Sequence, residues 1–221
     1  MRFVIGAEMK SKYNTIIDIF LLQKDFYSKL TDKSMWLYIG IVFVGLRDVI
    51  FYILNPQNTK GFFITNLSLT FKTAAVLFIT ALIIGFVDVI CFSYPVFDVI
   101  KHFKKRSEGY NASVVNTYSS LITKVTKVYV LTNILLTPMD ALIYFCSRWT
   151  FSTESMILLF ITTVMGILSY FWFNGAITRG LCVLFRLSNN VRGLVFVLVF
   201  CWNALISSAI QYLLSLIITR L

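Results

Sequence analysis

Residues 74–96 read AAVLFITALIIGFVDVICFSYPV, and the only charged side chain in these 23 positions is Asp88. A helix rises about 1.5 Å per residue, so ~20 apolar residues suffice to cross the ~30 Å hydrocarbon core of a bilayer. Lipid offers no partner to a bare N–H or C=O, so such a stretch must span as a helix that satisfies its own backbone. Working outward, similar stretches occupy 35–54 before it, and 125–146, 156–177 and 193–218 after it. The sequence predicts an all-α, polytopic membrane protein with five transmembrane helices.

Composition agrees with this reading. Of 221 residues, 58% are hydrophobic and 14% charged, with a mean hydropathy of +0.80; an ordinary soluble domain carries about 25% charged residues. The chain divides into a polar N-terminal segment, 1–34, and a membrane domain, 35–221, with no room for a second, water-soluble domain. Arg2, Glu8, Lys10 and Lys12 interrupt any apolar run near the start, so a cleaved signal is not expected. Cys91, Cys146, Cys182 and Cys201 lie in or beside the spans with no CxxC spacing, which points to small packing residues rather than a metal or disulfide framework.

The basic residues set an orientation. Fourteen lysines and arginines flank the spans on one side, among them Lys33, Lys101, Lys104, Lys105, Arg106, Lys124, Arg179, Arg186 and Arg192; Lys60, Lys72, Arg148 and Arg220 are the four on the other. By the positive-inside rule the N-terminus is cytoplasmic and the C-terminus extracytoplasmic, as an odd number of spans requires. Charges that flank spans are explained by topology and lipid, so nucleic acid is not an expected partner. Lys104, Lys105 and Arg106 can each gain about 1 kcal/mol from an anionic leaflet. Trp36 and Trp172 fall near the inner interface and Trp149 near the outer one, as in an aromatic belt.

Residues 14–31 read as an amphipathic helix lying on the membrane, with Ile16, Phe20, Phe26, Tyr27 and Leu30 on its apolar side; a partner-binding helix is the alternative. Pro56 ends the first span, and Pro138 is expected to kink the third. The run Ser107–Asn111 reads as a polar turn. The small-xxx-small pairs Ala81/Gly85 and Ala176/Gly180 permit close helix approach.

Arg47, Asp48, Asp88 and Asp140 stand inside spans, where a charge costs at least ~2.5–3.5 kcal/mol and normally faces the bundle interior or water. Counted from the cytoplasmic ends, Arg47 and Asp48 lie at ~18–20 Å, Asp140 at ~22 Å and Asp88 at ~10 Å. An Arg47–Asp140 pair between helices is therefore allowed; pairing with Asp48 or snorkelling competes with it. Asn174, Asn203 and Gln211 add polar groups that serve a solute path or hold helices together. No GxSxG, HExxH, Walker-type or DxD-like motif occurs, and His102 is the sole histidine. No catalytic residue, metal ligand or cofactor is expected, and the chain is not read as an enzyme.

Three pieces of the sequence resemble the Yip family, the Ypt/Rab-interacting five-span membrane proteins, and its prokaryotic branch in particular. One is the pre-span stretch Ile19–Leu30 followed by Trp36-Leu37. Another is Gly109-Tyr110-Asn111-Ala112-Ser113 through Tyr118. The third is Trp172-Phe173-Asn174-Gly175-Ala176 with the short basic loop holding Leu187-Ser188. The resemblance implies a non-enzymatic scaffold or accessory protein in a bacterial cell membrane. Such a protein would assist trafficking or export machinery through its cytoplasmic face, with an export ATPase complex among the candidate partners and self-association allowed. The alternative is a small transporter, or a transporter subunit, that uses the intramembrane Asp and Arg side chains. A dry, packed bundle favours the scaffold; a cavity reaching Asp88 or Asp140 favours transport.

Overall fold

The structure is a computed structural model that describes Tyr27, Leu30 and residues 35–54, 71–108, 118–153, 155–187 and 189–218. Among these residues it is all-helical, with α1 Met35–Leu54, α2 Phe71–Glu108, α3 Tyr118–Thr153, α4 Met156–Phe185 and α5 Asn189–Ile218. All five are long and apolar enough to cross a membrane. Large apolar side chains such as Phe86, Phe145, Phe160 and Leu205 face outward, as they would against lipid and would not against water.

Only α1 matches its apolar run at both ends. The others are longer than the stretches that betray them: α2 has 38 residues and α3 has 36, about 57 and 54 Å of helix against a ~30 Å hydrocarbon core. The extensions carry lysines, among them Lys101, Lys104 and Lys124. The apolar requirement ends at the lipid boundary, but Lys, Arg and Glu are good helix formers, so the helix continues through them. Ser107 and Glu108, expected in a turn, accordingly belong to the last turn of α2. Pro138 and Pro95 both lie within unbroken helices.

Contacts fix the helix directions. Ile41 and Gly45 of α1 meet Gly85 and Ala81 of α2 in reverse order, whereas Gly40 and Arg47 meet Val130 and Asp140 of α3 in the same order. Tyr170 and Phe171 of α4 pack on Phe200 and Phe196 of α5. The helices alternate, so Leu54, Phe71, Thr153, Met156 and Ile218 share one end of the bundle, the Leu54 end. Met35, Glu108, Tyr118, Phe185 and Asn189 share the other, the Met35 end.

Two features lock the packing. A Cβ on Gly45 would run into the Ala81 carbonyl oxygen, and one on Gly85 into the Ile41 carbonyl oxygen, so α1 and α2 cross backbone to backbone. The apolar core then concentrates toward the Met35 end, where Phe92, Val96, Phe97 and Ile100 of α2 meet Val125, Ile177, Leu181, Phe185 and Val199. The α4–α5 connection is short. Arg186 takes left-handed backbone (φ 51°, ψ 44°), and the Leu187 N–H closes onto the Cys182 carbonyl at 3.0 Å, a helix stop built on one αL residue.

Tyr27 departs from expectation. Instead of facing lipid on an interfacial helix, it is fully buried in protein, its hydroxyl donating to the Ala176 carbonyl at 3.0 Å. Gly180 makes room for its ring: a Cβ there would stand 2.7 Å from both Tyr27 and Val128. The Ala176/Gly180 pair thus admits α3, through Val128, as expected, and the Tyr27 ring besides. Burial raises the Tyr27 phenol above its ordinary pKa, an effect the Arg179 charge opposes. Apart from Tyr27 and Leu30, the helix expected over 14–31 lies outside the described residues, Phe20 and Phe26 included. Of the cysteines, Cys182 is buried, while Cys91 and Cys201 are exposed and so do not serve as core packing.

Candidate functional site: a polar cavity in the bundle

All five helices contribute to a cavity of about 490 Å³. It begins near the middle of the bundle, at Asp88, Tyr129 and Phe173, and extends toward the Leu54 end past Asp140, Ser147 and Leu214. The polar groups come from helical stripes. On α3, residues 129, 133, 136, 140, 144 and 147 recur at steps of three or four and share one face, placing Tyr129, Asn133, Asp140, Tyr144 and Ser147 in line. Asn203, Ser207 and Gln211 repeat every four residues along α5 in the same way.

Arg47 organises one wall. Its Nε and Nη2 both donate to Asp140 Oδ2, at 3.1 and 2.5 Å. Its Nη1 donates to Asn133 Oδ1 at 2.5 Å and lies 3.4 Å from Asp48 Oδ1. Asn133 meets the guanidinium with its oxygen, the acceptor, while its Nδ2 donates to the Tyr129 carbonyl at 3.0 Å. The guanidinium is therefore engaged through all three nitrogens. Both Arg47 donors to Asp140 converge on one carboxylate oxygen, and Asp140 also lines the cavity.

Asp88 forms the floor. It is 4% exposed, and the Tyr129 hydroxyl lies 3.0 and 2.9 Å from its two oxygens. A phenol has a single proton, so it donates to one oxygen at a time, although a carboxylate offers about four acceptor sites. Among the described residues no lysine or arginine pairs with Asp88. Tyr129 is held by aromatic packing, stacked on Phe92 with centroids 4.0 Å apart and edge-on to Phe173 at 6.0 Å. In all, three aspartates face the cavity against one arginine.

Of the intramembrane residues singled out in the sequence, Arg47, Asp48, Asp88, Asp140, Asn203 and Gln211 meet at this cavity. Asn174 does not line it; it is buried and donates to the Tyr170 carbonyl at 2.8 Å. Lys104 sits half-buried in the α2 extension. Lys105 and Arg106 continue that helix, their side chains lying outside the described residues. Tyr129 and Asn133 were not singled out from the sequence, although the spacing of polar residues through 129–147 carried the signal. No group of three or more His, Cys, Asp or Glu side chains suited to a metal ion occurs among the described residues.

No protein-family model matches the chain, and no curated protein and no solved structure matches it.

Proposed function

We propose that the protein is a small membrane transporter, or the membrane subunit of one, in which a polar solute occupies the cavity between the five helices. The observation that carries this reading is a cavity of about 490 Å³ reaching Asp88 and Asp140 together, within the 300–1,000 Å³ range of small-molecule sites. An intramembrane ionisable residue that faces a cavity is by default a candidate for a solute or ion path. With the basic ends of α2 and α3 on the cytoplasmic side, the cavity opens to the extracytoplasmic side and the packed half seals the inner one.

The accessory reading implied by the Yip resemblance draws support from a different feature. At the Met35 end, the α2 and α3 extensions carry Lys101, Lys104 and Lys124, a basic end suited to a membrane-protein partner or anionic lipid. The two readings meet in a transporter subunit whose partner docks there.

The test is reconstitution of the purified protein in liposomes, with transient currents recorded as amines, amino acids, sugars and inorganic ions are applied in turn. At least one solute should give a current that Asp88→Asn removes. Wild-type traces indistinguishable from protein-free vesicles for every solute would discard transport by this chain alone and leave the accessory reading.

A further inference from the structure

We infer that the solute is an organic cation, a molecule with one ammonium group on an apolar body, whose charge is taken by Asp88. The inference rests on the reading of the cavity as the solute's compartment and names the chemistry that fits it.

Charge comes first. The carboxylates of Asp48 and Asp140 both lean on Arg47, so its single positive charge is already balanced within the wall and is not left over for an anionic guest. Asp88 has one phenol proton and no cationic partner among the described residues. An ionised carboxylate in a low-dielectric site needs a counter-charge. In the empty cavity a proton supplies that charge, and a guest that displaces the proton brings a positive charge of its own, which a neutral or anionic solute does not.

Size and walls decide between cations. The cavity exceeds by far the ~30 Å³ a single water occupies, and a bare metal ion would need several converging oxygens there. The wall at Asp88 is instead aromatic, Tyr129 with Phe173 edge-on to it and Tyr170 one turn along α4, while Leu136 and Ile210 line the cavity further toward the Leu54 end. A carboxylate set among aromatic rings is the chemistry that recognises ammonium groups, through ion pairing and the negative ring faces. The aliphatic side chains then cover an apolar body extending toward the Leu54 end. Other charged or titratable groups lining the cavity are Arg47, Asp48 and Tyr52 on α1, Tyr129, Asp140 and Tyr144 on α3, and Tyr170 on α4. The α5 face is uncharged, with Asn203, Ser207 and Gln211.

The probe pair is 2-phenylethylammonium and 2-phenylethanol, nearly equal in shape and different in charge, titrated by calorimetry into purified protein in nanodiscs. The ammonium should bind saturably and about tenfold or more tighter than the alcohol, as a hydrogen bond to a charged group allows. Asp88→Asn, checked for a single symmetric gel-filtration peak, should abolish that preference. Equal binding of amine and alcohol by the wild type would overturn the inference without reference to any variant. So would a preference that survives Asp88→Asn. Liposome currents separate the two readings. Asp88-dependent flux of protons or sodium with no amine binding would overturn the organic-cation assignment and keep transport. Amine binding without amine flux would keep the assignment and overturn transport.

Discussion

Arg47 and Asp140 illustrate how a charge is kept inside an apolar bundle. Their side chains are 16% and 21% exposed, so each is partly withdrawn from solvent and depends on the other. Removing one member of a buried pair leaves an uncompensated charge and costs up to about 3–5 kcal/mol, less where some exposure remains. Arg47→Ala and Asp140→Asn should each lower the unfolding temperature in detergent. The double variant should lose less than the sum of the two, with coupling of ~0.5–3 kcal/mol. Strictly additive losses would mean that the pair contributes nothing as a pair. Arg47, Asp140 and their similar depths were legible in the sequence. Their meeting with Asp88 was not, because counting depth from the end of an apolar run put Asp88 ~10 Å from the membrane face. The helix in fact continues to Glu108, and the Tyr129 hydroxyl draws Asp88 to a level about one turn, ~5.4 Å, from Asn133 and so from the Arg47 network.

For the helices, hydropathy reports where lipid begins and ends, not where a helix does. That is why the number and order of the spans were legible from the apolar runs while the ends of α2, α3 and α4 were misjudged by up to a dozen residues. Small residues carry a different kind of information. Ala81/Gly85 reads as a place of close approach and becomes one, but its partner, Gly45, is identified only once α1 is laid against α2. The contact is backbone on backbone, so no rotamer change relieves an added methyl group. Gly45→Ala and Gly85→Ala should each destabilise the protein by ~1–3 kcal/mol, the usual cost of overpacking. Gly175 and Gly193 have nothing within 4 Å of an added Cβ. Alanine there should be neutral or stabilising by ~0.5–1 kcal/mol, because glycine weakens a helix interior. Thermal unfolding of the four variants in one detergent checks the contrast. Equal losses at all four positions would show that the α1–α2 crossing is not where the bundle is tight.

Across the whole molecule, two asymmetries run in the same direction. The basic residues gather at the Met35 end, where the apolar core is also densest, and the cavity occupies the opposite half. If the positive-inside rule governs this chain, the packed half faces the cytoplasm and the cavity faces out. Three cysteine substitutions in a background without Cys91, Cys146, Cys182 and Cys201 test both statements in intact cells with a small membrane-impermeant thiol reagent. Ser152, exposed near the end of α3, should label from outside as cysteine, and Ser107 in the last turn of α2 should label only after permeabilisation. Ser207 lines the cavity from α5, so its cysteine variant should behave like the one at Ser152, more slowly because the reagent must enter the bundle. Labelling at 107 and not at 152 in intact cells would reverse the orientation. With the orientation intact, a position 207 that reacts from neither side would mean that the cavity is closed to water, and the charged groups around Arg47 would then be explained by helix association alone.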